Sequence, residues 1–393
     1  MLVLLLHALE STTAGGGGSS SASSPPWFQI CSGDKLGNFG QYFTNASAWP
    51  VLKPRTDSIK FFIGSVKSLP TTVSGGYAAI ADFLRSNPSV GIDIEAGGLR
   101  GFNCDGESYA KETLDMIEPL LAGGVGSALS TLHITFDGPF AHSLHQDAKP
   151  CPLTPQQVAT ELAKNIRTTR QLGAQRYPQL AVAFHWNEPV PWYRVGGSFP
   201  AFHNGTVKDF GDLLGLLDLV TSTPGADFAA FHADSPYVYN HEPGGGYPKL
   251  GALMAAVRAK GLAFGHYFNT VPKHAGDFEN GTLADASEFV AALGNPDHAI
   301  VESWYPFPHY ALPEGAADTF AHTALAAWSI FDEAGGGAYL LACPTCATTV
   351  FDEYCEAPRP LKAAQSGALP GTPVCTPGMA AMVDAINKTA AAA

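Results

Sequence analysis

The stretch Leu180-Ala-Val-Ala-Phe-His-Trp-Asn-Glu-Pro189 is a short apolar run that turns polar and aromatic at its carboxyl end. Seven other runs repeat the pattern: WFQIC (27–31), IKFFIG (59–64), VGIDIE (90–95), LHITFD (132–137), FAAFHAD (228–234), LAFGHYF (262–268) and AIVESW (299–304). They start about 30–50 residues apart, the length of one strand-plus-helix unit. The segments between them read as helices. In 155–172, Val158, Leu162 and Ile166 fall on one face, Thr154 and Gln157 form a capping-box signature, and Gly173 is a stop signal. In 249–260, Leu250, Leu253, Met254 and Val257 share a face and Gly261 closes it. In 316–331, Phe320, Ala324, Ala327 and Phe331 make a stripe. Eight strands alternating with helices predict an α/β protein with one (β/α)8 TIM barrel. An open doubly wound sheet is the alternative, but no G-x-G-x-x-G follows any strand. A ninth apolar run, AYLLAC (338–343), competes with 27–31 for a place in the barrel. The irregular sequence after 343 favours 27–31 as the first strand.

The barrel is expected over 27–335, preceded by an atypical leader and low-complexity linker (1–26) and followed by a Cys- and Pro-rich tail (336–393) that packs on it and ends in a short helix. Met1 to Leu6 are apolar, but His7 and Glu10 interrupt the run and no basic residue precedes it. Of 393 residues, 22 are basic and 35 acidic, a net charge of −13, which argues against a nucleic-acid partner. No apolar run reaches the ~20 residues needed to span a bilayer. Cys343, Cys346, Cys355 and Cys375 crowd the tail and suit disulfide staples; a single C-x-x-C lacks the second half of a zinc ribbon. N-x-S/T sequons at Asn45, Asn204, Asn280 and Asn387 add to an expectation of a secreted or secretory-pathway glycoprotein. The sequence leaves the oligomeric state open.

Catalytic groups of such barrels lie at the carboxyl ends of strands. Here those ends carry Asp93 and Glu95, Asp137, then His185-Trp186-Asn187-Glu188, then His232 and Asp234, then His266 and Tyr267, then Glu302 with Trp304 and Tyr305. An Asp at such a junction often caps the next helix. That explains Glu302 poorly, because no helix pattern follows it, and Glu188 poorly, because Pro189 and Pro191 follow. Alternation places Asp93 with Glu95, His232 with Asp234, and Glu302 with Trp304 on shared faces. Buried strands should be apolar throughout, so a face that turns polar predicts a charged pocket at the barrel mouth. Trp186, Tyr237, Tyr267, Trp304 and Tyr305 supply aromatic rings around it. Carboxylates among aromatic rings suit a carbohydrate, whose C–H faces stack on rings while acids handle the glycosidic oxygen.

The run Trp186-Asn187-Glu188-Pro189 resembles the Asn-Glu-Pro motif of a large clan of retaining glycoside hydrolases that includes many cellulases and mannanases. The resemblance implies a (β/α)8 barrel, Glu188 as acid/base and Glu302, three strands later, as nucleophile. It covers the barrel plan and two short motifs. Simple alternation puts Asn187, not Glu188, on the face of His185, so Glu188 needs a bulge to reach the pocket. Without one, Asp137 or Asp234 is the better partner for Glu302. The reading is therefore a two-carboxylate hydrolase of a polysaccharide or oligosaccharide, with no cofactor and no metal. Asp93, Glu95, His185, Trp186, Asn187, His232, Tyr237, His266, Tyr267, Trp304 and Tyr305 are its expected substrate-binding set. Two other readings compete: a metal-dependent barrel hydrolase using His185, His232, His266 and Asp234, and a catalytically inactive sugar-binding barrel.

Overall fold

A computed structural model describes residues 25–33, 36–97, 99, 104–144, 153–196, 209–241, 246–304 and 307–334, with the backbone of 355–356 and 374–375. Eight parallel strands close into a barrel in sequence order. They are β1 (Trp27–Cys31), β2 (Ser58–Phe62), β3 (Gly91–Ala96), β4 (Thr131–Asp137), β5 (Ala181–Pro189), β6 (Ala230–Asp234), β7 (Ala263–Phe268) and β8 (His298–Glu302). β1 pairs with β8 along its whole length, Trp27 opposite His298 and Cys31 opposite Glu302. That settles 27–31 as the first strand; the competing run 338–343 lies outside the described residues. The fold is a (β/α)8 barrel.

Among the described residues seven long helices sheathe it: α1 (Gly76–Ser86), α2 (Gly106–Leu120), α3 (Pro155–Arg176), α4 (Phe210–Ser222), α5 (Gly246–Ala259), α6 (Asp277–Leu293) and α7 (Phe320–Ala334). Only short helical turns link β1 to β2. The capping box at α3 forms as expected: Gln157 N donates to Thr154 Oγ1 (3.3 Å), and Thr154 N donates to Gln157 Oε1 (2.8 Å). The helix does not stop at Gly173 but continues to Arg176. A mid-helix glycine costs only ~1 kcal/mol, and the extra turn lets Arg176 pair with Asp115 and Glu118 on α2. Gly261, at φ 76°, follows α5 in the left-handed conformation that glycine adopts most readily. The α7 stripe of Phe320, Ala324, Ala327 and Phe331 is wholly buried.

Between strands and helices lies an apolar layer that includes Ile30, Ile92, Ile134, Phe184, Phe231, Phe264 and Val301, all fully buried. The lumen is different. Period-two alternation turns Gln29, Ser58, Lys60, Asp93, Thr135, His185 and His232 inward, and each is at most 1% exposed. Barrel interiors normally stack branched aliphatics. This one carries polar side chains from floor to mouth, with Ile300 between His298 and Glu302 an aliphatic exception.

Backbone pairing places the two-residue strands Cys355–Glu356 and Val374–Cys375 antiparallel, Cys355 opposite Cys375. Cys343, Cys346 and the rest of the tail, like 1–24, lie outside the described residues, as do the sequons at Asn204 and Asn387. Asn45 and Asn280 are exposed.

Candidate active site

The carboxyl ends of the strands open into a cavity of about 420 Å³, lined among others by Glu95, Asp137, Asp234 and Glu302. That volume lies within the ~300–1,000 Å³ usual for small-molecule sites. Each acid is the last or next-to-last residue of its strand (β3, β4, β6, β8) and sits on the inward parity. Phe62, Trp192, Tyr239 and Trp304 line the same cavity. Trp304 is 53% exposed, a ring offered to whatever enters.

Four side chains hold the acids in place, and one of them bridges two. Asn269, just past β7, donates from one Nδ2 to Asp234 Oδ1 (3.3 Å) and to Glu302 Oε2 (3.3 Å). Two 3.3 Å bonds to one nitrogen hold those oxygens no more than 6.6 Å apart. Asn187 Nδ2 donates to Asp137 Oδ1 (3.0 Å), and His142 Nε2 lies 3.5 Å from Asp137 Oδ2. Lys60 Nζ donates to Glu95 Oε2 (3.1 Å) and contacts the Tyr267 hydroxyl very closely. Its ammonium is fully buried; burial works against the charge, but Glu95 and Asp93 outweigh it and hold the pKa above its ordinary value.

Crowding acids in a dry lumen disfavours their ionised forms. Burial, then repulsion from Glu95 and Asp234, pushes Glu302 well above the carboxylate range. Burial raises Glu95 to about 7 against the pull of Lys60, and burial with repulsion from Asp137 raises Asp234 to about 6. Cys31 Sγ, beside Glu302, donates to its Oε1 (3.3 Å).

Glu188 does not reach the cavity. The β5–β6 ladder runs without a skipped residue, Asn187 opposite His232 and Glu188 opposite Ala233, so no bulge re-aims it. Its carboxylate is buried in the helix layer, accepting from Phe140 N (2.9 Å), Ala141 N (3.4 Å), Trp186 Nε1 (3.1 Å) and Tyr193 Oη (3.0 Å). Burial raises it to about 7. Parity sends two other expected residues outward as well. Trp186 packs on Phe140 and Phe231, and His266 stacks on Phe289 of α6 with Asp285 Oδ2 at 3.3 Å. Tyr237 also turns to α6, donating to Glu288 Oε1 (3.0 Å). Tyr305 lies outside the described residues. The expected quartet His185, His232, His266 and Asp234 is therefore not assembled.

Below the mouth lie Asp93, His185 and Tyr267, expected against substrate but enclosed. Asp93 accepts from Gln29 (2.8 Å) and Thr135 (2.7 Å) and faces His185 Nδ1 at 3.5 Å. Burial alone would raise its pKa; Lys60 and His185 instead hold it well below the carboxylate range. Lower still, His133 Nδ1 lies 3.2 Å from His185 Nε2, and His232 Nε2 lies 3.0 Å from His298 Nδ1. Lys60, Phe62 and His298 were not expected from sequence; alternation places His133 on the face of Asp137, and Asn269 stands at the end of the seventh run, but neither belongs to the expected site set. Strict alternation through Ile59-Lys60-Phe61-Phe62 and Leu132-His133-Ile134 carries the signal for the strand residues among them.

No family model matches the chain, and no curated protein matches it. Among solved structures it is similar to a GH30 endoxylanase from Clostridium papyrosolvens, at 12% identity over 78% of this chain and 72% of that one, TM-score 0.43. It is also similar to an endo-β-N-acetylglucosaminidase from Cordyceps militaris (10% identity, 80% and 92% covered, TM-score 0.41). A D-psicose 3-epimerase is a third (13% identity, 79% and 99% covered, TM-score 0.42). At these levels none of the likenesses bears on the reaction.

Proposed function

We propose that this protein is a glycoside hydrolase that cleaves O-glycosidic bonds of a polysaccharide or oligosaccharide with two carboxyl groups of its barrel mouth. One observation supports this most: four acids from four strand ends meet in one aromatic-walled cavity, with Glu302 and Asp234 bridged by Asn269. Glu302, whose pKa burial and repulsion from Glu95 and Asp234 push well above the carboxylate range, is assigned as the general acid that protonates the leaving glycosidic oxygen. Asp234 attacks the anomeric carbon, forming the C–O bond of a glycosyl ester as the leaving bond breaks. Glu302, now ionised, then takes a proton from water, whose oxygen displaces Asp234. Retaining enzymes need their carboxyls roughly 5–5.5 Å apart, inverting ones roughly 6.5–9.5 Å. Asn269 holds one oxygen of each carboxyl within 6.6 Å of the other, a closeness that favours the retaining arrangement. The roles differ from those implied by the Asn-Glu-Pro resemblance: Glu302 donates the proton, and Asp234 replaces Glu188. We expect action on material met outside the cell.

The test is release of reducing ends from a panel of plant, algal and microbial polysaccharides, with the first-formed anomer followed by NMR. Turnover with retention supports the reading, and an inverted first product removes Asp234 as nucleophile. Binding to a panel member without turnover would make this a sugar-binding barrel.

A further inference from the structure

A barrel lumen is expected to hold branched aliphatics, yet four strands here send imidazoles into one volume. His133, His185, His232 and His298 come from β4, β5, β6 and β8. Their ring centroids lie 4.9 Å (133 to 185), 4.7 Å (185 to 232), 5.3 Å (232 to 298) and 5.5 Å (185 to 298) apart. His185, His232 and His298 each offer a ligand nitrogen, and the three atoms lie within 4.8 Å of one another. Hydrogen bonding leaves this cluster incomplete. His185 and His232 are 1% and 0% exposed; His185 Nδ1 faces Asp93 at 3.5 Å, and His232 Nδ1 has no hydrogen-bond partner among the described residues. An unpaired lone pair or N–H in a buried core costs ~1–3 kcal/mol, so an occupant that engages these rings would be stabilising.

We propose that His185, His232 and His298 form a three-histidine site for a divalent transition metal, zinc or a first-row neighbour, inside the barrel beneath the carboxylate ring. Imidazole nitrogen suits zinc, copper and nickel and disfavours magnesium and calcium. A zinc–nitrogen bond is about 2.1 Å, so two ligands on one ion stand at most about 4.2 Å apart. In the tetrahedral geometry zinc prefers they stand about 3.4 Å apart, so the widest separation closes by about 1.4 Å at most, through rotation of the rings. Asp93, with Oδ2 3.5 Å from His185 Nδ1, is placed as the outer carboxylate that orients a ligating histidine. His133, its Nδ1 3.2 Å from His185 Nε2, is the nearest candidate for a fourth ligand; water is the other. Trp27 covers the cluster, its ring 4.6 Å from that of His298 and 5.5 Å from that of His133. Those two histidines are only half-buried, which marks the amino-terminal face of the barrel as the way in.

This site is independent of the hydrolase reading, and its test uses no substrate. Full-length protein stripped with dipicolinate is titrated with cobalt(II), then zinc(II), while visible absorption, Trp fluorescence and melting temperature are recorded. We expect one equivalent of cobalt with a ligand-field band, displacement by one equivalent of zinc, and a melting temperature raised by several degrees. His298→Gln and His232→Gln should abolish the band. Should either variant fail to fold, the wild-type titration decides alone. No band, binding well below one equivalent, or a band that survives His298→Gln in folded protein would overturn the site. The four imidazoles would then be a hydrogen-bonded core and nothing more.

Discussion

The mouth and the floor of this barrel are built on the same device with opposite charges. At the mouth Glu95, Asp234 and Glu302 are crowded until burial and repulsion push them up, Glu302 furthest. On the floor His133, His232 and His298 are crowded until the same two effects push them down, His133 to about 4 and His298 to about 3. Each cluster has one counter-ion between the two levels: Lys60 for the acids, Asp93 for the imidazoles. Like charges packed in a low-dielectric lumen neutralise one another. The products are different tools, a proton donor above and bare nitrogen lone pairs below. The apolar helix layer outside the strands shows neither tool, although it also buries titratable groups such as Glu188 and the His266–Asp285 pair. Glu188 accepts from four neighbouring donors, and His266 pairs through Nε2 with Asp285 while its Nδ1 has no partner among the described residues.

The sharpest break of this comparison is Glu302→Gln. An amide cannot donate the proton, so turnover should fall by about 10³-fold or more with the fold unchanged. Polysaccharide assays alongside circular dichroism check it. A folded variant keeping a tenth of wild-type activity would take Glu302 out of the reaction.

Most of the barrel was legible in the sequence because every one of its strands is an uninterrupted apolar run with period-two polar insertions. Trp27–Cys31 was the ambiguous case, resolved only by closure against β8. The site was legible to the extent that parity was obeyed. Asp93 with Glu95, His232 with Asp234, and Asn187 all turn inward as alternation requires. The Asn-Glu-Pro resemblance pointed to Glu188, but an adjacent residue on a regular strand faces the other way, and Trp186 and His266 are outside for the same reason. Tyr237 and Asn269 sit past their strand ends, where no periodicity constrains direction. The Lys60–Tyr267 and Asn269–Glu302 contacts join residues 207 and 33 positions apart, a closeness that only the closed barrel creates.

A second effect concerns pH and isolates the mouth. Glu302 has a folded pKa above its unfolded value of about 4.5. The unfolded chain therefore binds fewer protons above pH 4.5, and the folded state loses stability as pH rises toward the folded pKa. Glu302→Gln removes that loss and cancels every other group in the difference. As pH rises above 4.5 the variant should gain stability relative to the wild type, by about 1.4 kcal/mol per pH unit at most. Denaturant melts at three pH values measure it. A difference that is flat with pH would mean Glu302 is ionised in the folded protein, and the acid role would pass elsewhere. In activity, kcat/KM should decline on the alkaline side as Glu302 loses its proton.

Glu188→Gln tests whether the helix layer is only structural. Its four donors face two carboxylate oxygens, and an amide turns one of these into a donor opposite Ala141 N and Tyr193 Oη, or Phe140 N and Trp186 Nε1. Leaving one or two buried donors unmatched costs about 1–3 kcal/mol, a drop of a few degrees in melting temperature for a chain of this size. Turnover per folded molecule should stay within twofold of wild type. A hundredfold loss in folded protein would place Glu188 in the chemistry and dissolve the distinction between lumen and helix layer.

The smallest expected effect is at the rim. Trp304 follows β8 by two residues and lines the cavity while 53% exposed, so its ring is available to a sugar face at little desolvation cost. Stacking of this kind is worth about 0.5–1.5 kcal/mol, which corresponds to roughly a two- to tenfold change in binding. Trp304→Ala should therefore raise KM by that factor and leave kcat nearly unchanged, because the ring touches substrate equally in ground and transition states. Trp304→Phe, which keeps a stacking face, should recover most of the loss. If kcat instead fell with KM constant, Trp304 would be ordering the acids below it rather than holding substrate. The rim would then belong with Asn269 and Lys60 as part of the apparatus that sets the charge of the mouth.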